Sequence, residues 1–300
     1  MKPAPFEYHA PESVKEAVDL LAELGDGAKL IAGGQSLVPV LALRLAVFDH
    51  LIDIRRITAR RGIEERADRV WIGAATTEAE IGRSALIARR VPLLSRATPL
   101  IGHFQIRNRG TIGGSLAHAD AAAEYPAVAL ALDATIEARS PRGQREIPAA
   151  QFFTGIWTTA LEPNELLTGV SFPAAVDIRG GRQGFAIEEF ARRPGDFAVA
   201  GAAVAVGLDP DGRVSASGIG LFGLGPTAAR AAAAETAVAG IAASDIDPAE
   251  VGRAAVADLD AVPSDLHGTA SYRKKVGAAM VARAWEQAVK EAVIKEAGSG

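Results

Sequence analysis

The chain has no cysteine. That absence excludes disulfides, thiolate metal sites, iron–sulfur clusters held by this chain's own residues, and a flavin attached through sulfur. Long apolar runs are missing as well. No stretch of about 18 apolar residues is free of charges, so no integral membrane segment is expected. The opening Met1-Lys2-Pro3-Ala4-Pro5-Phe6 lacks the apolar core of a signal peptide, and a cytoplasmic location is the expectation. There is no basic excess either: 32 Lys and Arg stand against 36 Asp and Glu, which gives no reason to expect nucleic acid as a partner. A Gly-Lys-Ser/Thr phosphate loop and a Gly-x-Ser-x-Gly elbow are absent, so neither P-loop hydrolysis nor serine hydrolase chemistry is supported.

What the chain has is two glycine pairs. The first lies in Ala32-Gly33-Gly34-Gln35-Ser36-Leu37, the second in Thr111-Ile112-Gly113-Gly114-Ser115-Leu116. Each adjoins apolar residues of strand character. Paired glycines let backbone approach a ligand closely, and successive N–H groups in such turns form a concave anion site. Two such turns are suited to hold a pyrophosphate from both sides, which points to a dinucleotide. Gln35, Ser36, Thr111 and Ser115 add neutral donors for phosphate oxygens. The first turn lies in a strand–turn–helix–strand unit too compact for a Rossmann unit and lacks the Gly-x-Gly-x-x-Gly spacing there.

Three regions follow along the chain: 1–55, 56–175 and 176–290. In the first, apolar residues at Val14, Ala17, Val18, Leu21 and Leu24 predict a helix capped by Ser13, with Glu16 in capping-box position and Gly25 at its end. Strands are predicted at 29–32 and 50–54, with a helix over 37–46. In the second, strands are predicted near 62–64, 70–73, 135–138 and 166–172, and helices over 77–84, 86–100 and 124–132. In the third, 184–190, 198–207 and 214–222 read as strands, with Asp209-Pro210-Asp211-Gly212 as a hairpin turn. Helices near 226–239, 247–259 and 271–295 complete an antiparallel sheet covered by helices. Gly298-Ser299-Gly300 reads as a flexible tail. The fold class is α+β.

Other polar residues carry weaker signals. His118 and Asp120 have no further ligand nearby in sequence and read as hydrogen-bonding groups; no metal ligand set is expected. His103, Arg107 and Arg109 read either as basic partners for phosphate or as a charged surface loop. Glu124 suits either a ribose hydroxyl or a helix N-terminus. Trp157 and Phe197 read as packing residues. No catalytic residue is assigned.

Five ordered motifs resemble a known family. They are Ala32 to Leu37; Ile106-Arg107-Asn108-Arg109-Gly110-Thr111-Ile112-Gly113-Gly114-Ser115; Ala117-His118-Ala119-Asp120; Arg192-Arg193-Pro194-Gly195-Asp196-Phe197; and Ser271-Tyr272-Arg273-Lys274-Lys275. Together they resemble the FAD-binding medium subunit of molybdenum hydroxylases, a group that includes the medium chain of aerobic carbon monoxide dehydrogenase and the flavin part of xanthine dehydrogenase. The likeness runs from about residue 4 to residue 290.

The resemblance implies a para-cresol methylhydroxylase-type FAD-binding region of two α/β lobes, followed by a C-terminal α+β domain. It implies an electron-transfer oxidoreductase subunit. A molybdopterin-type cofactor would sit in a large partner subunit and two 2Fe–2S clusters in a small one, in a dimer of heterotrimers. By resemblance, residues 32–36 and 111–115 hold the FAD pyrophosphate, flanked by Leu37. Asp120 and Glu124 supply acidic contacts beyond the second loop, Ile101 and Leu167 adjoin the cofactor, and Phe197 lies beside the isoalloxazine. Two departures stand out. Ser115 takes a position where Asn is common, and Leu116 to Asp120 differ from the carbon monoxide dehydrogenase pattern. Both favour an aldehyde or N-heterocycle over carbon monoxide. The rival expectations are a self-sufficient flavin oxidase of the same fold and a non-enzymatic nucleotide-binding module.

Overall fold

The computed structural model describes residues 2–175 and 182–297. The expected start of the third region at 176 and the Gly-Ser-Gly tail lie outside the described residues.

The first region is β1 (Glu7–His9), α1 (Val14–Leu24), β2 (Ala28–Ile31), α2 (Leu37–Ala42) and β3 (His50–Asp53). The three strands form a parallel sheet in the order β1-β3-β2. α1 starts where expected because the Ser13 hydroxyl accepts the Glu16 N–H at 3.1 Å. The capping box does not close on Ser13, however; Glu16 accepts from the Glu12 N–H instead. Ala17, Val18 and Leu21 bury one face of α1 against the sheet with Ile52 and Ile54, and Gly25 at φ 58° ends the helix.

The second region runs β4 (Ile63–Arg66), β5 (Arg69–Gly73), α3 (Glu78–Arg83), α4 (Ala85–Arg90), α5 (Pro92–Ala97), α6 (Phe104–Arg107), α7 (Ile112–His118), α8 (Glu124–Ala131), β6 (Thr135–Ser140), β7 (Gly143–Pro148), α9 (Ala149–Phe152), β8 (Phe153–Gly155), β9 (Thr158–Thr159) and β10 (Leu166–Pro173). Five strands make one sheet, β4-β5-β10-β6-β7, with antiparallel neighbours throughout. The helix expected over 86–100 is broken. Val91 leaves helical geometry before Pro92, whose ring disfavours a helical conformation in the residue before it.

The third region is β11 (Arg182–Phe190), β12 (Ala200–Leu208), β13 (Val214–Phe222), β14 (Ala229–Arg230), α10 (Ala232–Val238), α11 (Pro248–Ala257) and α12 (Ala270–Ala297). Its sheet is antiparallel in sequence order. The helix expected from 226 begins only at Ala232, because 229–230 pair with β13. In the turn between β12 and β13, Asp209 Oδ1 accepts the N–H groups of Asp211 and Arg213, and Gly212 takes φ 76°.

α8 joins the second and third regions. All eight of its residues are buried, on the face of β12 and β13 and against α5, α7 and α9, in the core that also takes in the five-stranded sheet. Its backbone lies directly on β13. A Cβ on Gly218 would stand 2.0 Å from the Ala131 carbonyl oxygen, and one on Gly220 would stand 2.0 Å from that of Ala127. Gly218, Gly220 and Gly223 happen to have Gly-x-Gly-x-x-Gly spacing, but the first two lie within a strand and pack against a helix, so they form no dinucleotide turn. α12 covers the other face, burying Met280, Val281, Ala284, Trp285 and Ala288 against Ala202, Val204 and Val206. With both faces covered, β12 reads as a continuous apolar run.

Candidate functional site

The two glycine pairs meet. A Cβ built on Gly114 would lie 3.6 Å from the Ala32 methyl, and one on Gly33 would collide with the Arg109 carbonyl oxygen at 2.2 Å. Gly33 therefore fits because backbone 109–110 passes over it. Gly34 takes φ 74°, a conformation that glycine adopts without steric cost.

The loops differ in what they offer. No acceptor among the described residues receives the N–H groups of Gly34, Gln35 and Ser36. The first loop is thus a set of unpaired donors ahead of α2, held in part by the Gln35 side-chain amide donating to the Gly33 carbonyl at 3.1 Å. The second loop is no strand-linked turn but the first turn of α7. Thr111 is its N-cap and accepts the Gly114 N–H at 3.1 Å. The N–H groups of Ile112, Gly113 and Ser115 go to the Thr76, Ala74 and Thr111 carbonyls. This loop contributes close approach rather than free amides. Gly113 is fixed by packing, since its Cβ would lie 2.5 Å from the Ala74 Cβ.

Beyond the loops a cavity of about 570 Å³ opens between the second and third regions. Asp120, Ala122, Gly195, Phe197, Asp265 and Arg273 line it. Phe197 is 70% exposed, and Trp157, 67% exposed, stacks at 9° on His118 with centroids 6.2 Å apart. The packing expectation is wrong for both rings: Trp157 sits at a tight turn with φ 50°, and Phe197 follows the exposed loop 192–194. Arg273, buried at the start of α12, donates to the carbonyls of Val199 and Gly223 and to both Asp265 oxygens. It thereby fixes one wall of the cavity.

Under the second loop lies a group of carboxylates without cationic hydrogen-bond partners among the described residues. Glu78 is 4% exposed, with one carboxylate oxygen unpartnered; burial pushes its pKa up to about 7 against the opposing charge of Arg107. Glu124 is pushed up to about 8 by burial against a hydrogen bond from its own backbone N–H, with the carboxylates of Glu189, Glu78 and Asp120 adding to the rise. Glu189, whose Oε2 is buried and unpartnered, is raised by burial to about 7. Buried polar atoms are normally satisfied, and the unpartnered oxygens of Glu78 and Glu189 have spare hydrogen-bonding capacity. Asp120 turns one oxygen to the Ala122 N–H at 2.8 Å and lies within 4.0 Å of His118.

The remaining expected residues sit around this centre. Leu167 is buried in β10, where the next carbonyl accepts the Ala74 N–H and the Ala74 carbonyl accepts the Gly113 N–H. Ile101 is half-buried, and its carbonyl accepts Arg107 Nη1 at 2.8 Å. Arg107 also donates to the Pro99 and Gly102 carbonyls, so its guanidinium holds this loop. A Cβ on Gly195 would lie 2.4 Å from the His103 ring, which places loop 192–196 on loop 101–107. Sequence reasoning missed Glu78 and Glu189. Both fall inside predicted elements, the helix over 77–84 and the strand over 184–190, with nothing local to mark them.

Comparison with known proteins places the chain in a family. Residues 4–175 match the family described as the FAD binding domain in molybdopterin dehydrogenase, and residues 185–288 match the CO dehydrogenase flavoprotein C-terminal domain. The chain belongs to the FAD-binding medium subunits of the molybdenum hydroxylases. It is 44% identical over 292 residues to the 6-hydroxypseudooxynicotine dehydrogenase complex subunit alpha of Paenarthrobacter nicotinovorans, covering 97% of both chains. It is 41% identical to the carbon monoxide dehydrogenase medium chain of Hydrogenophaga pseudoflava, covering 95% of this chain and 97% of the relative. Among solved structures, carbon monoxide dehydrogenase from Hydrogenophaga pseudoflava superposes with a TM-score of 0.93 at 43% identity, covering 97% of this chain and all of that one. Quinoline 2-oxidoreductase from Pseudomonas putida 86 superposes with a TM-score of 0.89 at 34% identity, covering 97% and 99%. This medium subunit is an oxidoreductase component with the expected α+β fold, and FAD is its cofactor. No described helix is long and apolar enough to cross a membrane.

Proposed function

We propose that this chain holds one FAD noncovalently, between the facing glycine loops and the cavity beside Phe197, as the electron outlet of a molybdenum-dependent hydroxylase. The observation that carries the reading is the row of unpaired amides at Gly34, Gln35 and Ser36, facing Gly114 across the Ala32 contact. Those amides, with Gly33 and the Ser36 hydroxyl, bind the pyrophosphate; Ala32 and Leu37 fix the ends of the loop. Residues 111–115 give it a smooth opposite wall. Asp120 and Glu124 hydrogen-bond cofactor hydroxyls. Ile101 and Leu167 back the site. Phe197 offers its exposed face to the ring system.

When bound, the flavin supplies uptake of electrons from 2Fe–2S clusters in a small subunit and release to an external acceptor. Substrate oxidation belongs to a large molybdenum-bearing subunit, in a cytoplasmic dimer of heterotrimers. The contacting loops 101–109 and 192–196 are the surface for the small subunit. Residues 1–55, 56–175 and 176–290 form the two FAD-binding lobes and the C-terminal domain. Ser115 and the 116–120 segment, together with relatives named for pseudooxynicotine and quinoline, favour an N-heterocycle or aldehyde as the substrate of the complex.

Purified alone, the chain should retain FAD yet fail to oxidise aldehydes or N-heterocycles; coexpression with large and small subunits should restore turnover. Substrate turnover by the isolated chain at the rate of the complex would overturn the reading in favour of a self-sufficient oxidase.

A further inference from the structure

A second cluster of chemistry-bearing side chains lies away from the flavin site, on the opposite edge of the first sheet. The strand order β1-β3-β2 puts β2, which leads into the first glycine loop, on one edge and β1 on the other. Glu7 and His9 are two residues apart on β1, so their side chains share one face of the strand. Parallel pairing sets Glu7 opposite His50 on β3. The result is a convergence of three donors. His9 Nε2 stands 3.2 Å from His50 Nδ1, and Glu7 Oε2 stands 3.5 Å from the same nitrogen. All three ligand atoms lie within 4.8 Å of one another.

A hydrogen bond between the two imidazoles accounts for only one of these approaches. A neutral His50 has one ring N–H, and Nδ1 cannot serve both neighbours as a single directed donor. A cation at the centre serves all three. Bonds of about 2.0–2.1 Å to nitrogen and oxygen in tetrahedral geometry put neighbouring donors about 3.3–3.4 Å apart, close to both observed edges. Both histidines are half-buried, which limits competition from solvent, while the Glu7 side chain is 75% exposed and leaves an open position for water.

We propose that Glu7, His9 and His50 form a site for a divalent cation of the zinc type, two imidazoles and one carboxylate with water completing the shell. Imidazole with carboxylate suits zinc among the abundant divalent ions, whereas magnesium and calcium prefer oxygen-only shells. The spacing in sequence hides the site, because His9 and His50 are brought together only by parallel pairing of β1 with β3. Its role is to fasten a three-residue edge strand that has one pairing neighbour. The FAD reading is not needed for this site and does not stand or fall with it.

The test uses the full chain with its flavin, freed of metal with a chelator and titrated with zinc chloride in a calorimeter. One zinc per chain is expected, with a rise in melting temperature that chelator reverses. His9→Gln and His50→Gln should each weaken binding at least about tenfold. Glu7→Gln, at an exposed position that leaves the fold intact, should weaken it measurably as well. Flavin content reports the fold of each variant independently, because the flavin loops lie across the sheet. Absence of stoichiometric zinc uptake by the wild-type chain would overturn the proposal. So would undiminished affinity in a flavin-replete His9→Gln/His50→Gln variant.

Discussion

Gly114 faces Ala32 with room between them for one small group: the built Cβ is 3.6 Å from the alanine methyl. Of the four paired glycines this is the least constrained: its φ is not positive, and its built Cβ comes tight only against a side-chain oxygen, the Thr111 hydroxyl at 3.0 Å. Gly33 meets Arg109, Gly113 meets Ala74, and Gly34 is left-handed. Gly114→Val should therefore fill the gap between the loops at the cost of crowding the Thr111 cap of α7, with the rest of the fold kept. FAD affinity should fall at least about a hundredfold, a loss of about 3 kcal/mol, measured by flavin titration of the stripped protein. Gly113→Ala should act differently, destabilising the whole protein by about 1–3 kcal/mol in denaturant melts through its contact with Ala74. A Gly114→Val protein with full flavin content would show that the second loop serves only to start α7.

Without cysteine, no sulfur can tether the flavin. Acid precipitation should leave all the yellow colour in the supernatant as FAD, identified by chromatography. Colour retained in the pellet would direct attention to the histidines near the cavity.

The buried carboxyl groups predict a pH dependence of the flavin-free protein. Glu124 rises to about 8 from its usual 4.5, and Glu78 and Glu189 rise to about 7. A folded pKa above the unfolded one means that the protonated group favours the fold. The contribution is complete below about pH 4.5 and is lost as the pH rises through 7 to 8. The melting temperature of the stripped chain should fall between about pH 5 and about pH 8 and level off above that, and Glu124→Gln should flatten that slope. A slope unchanged in the variant would remove Glu124 as its source.

Arg273→Met should loosen the cavity wall. It strips the partner from two carbonyls, Val199 and Gly223, in a buried position, at a cost of about 1–3 kcal/mol for each group left unsatisfied. Calorimetry should show a lower melting temperature. Flavin should dissociate faster than from wild type, as followed by the recovery of flavin fluorescence on dilution.

Much of this architecture is legible in the residues, and the exceptions have physical causes. α1 declares itself through Ser13, a helical apolar stripe and Gly25, all local signals. The Asp209–Gly212 turn does the same for the hairpin of β12 and β13. α7 does not, because a glycine pair weakens helical propensity; the clue was the Thr111 hydroxyl, a capping group three residues before Gly114. β7 escapes notice because Gln144, Arg145 and Glu146 are exposed on a sheet edge and carry no apolar alternation. At the site, the two loops are visible as motifs, but their unequal use of amides is not, since it depends on Thr76 and Ala74. The meeting of Glu78, Glu124 and Glu189 is tertiary and has no sequence period.

α8 carries a consequence for how the molecule comes apart. It belongs by chain order to the second region, yet its backbone seats on Gly218 and Gly220 of the third. A chain cut after residue 175 would therefore strip a helix of half its cover and turn Ala127 and Ala131 toward water. The seam drawn between two family matches is thus no line of cleavage: heat should melt both sides together as one calorimetric transition, and neither fragment should persist alone as a trimmed, protease-resistant core.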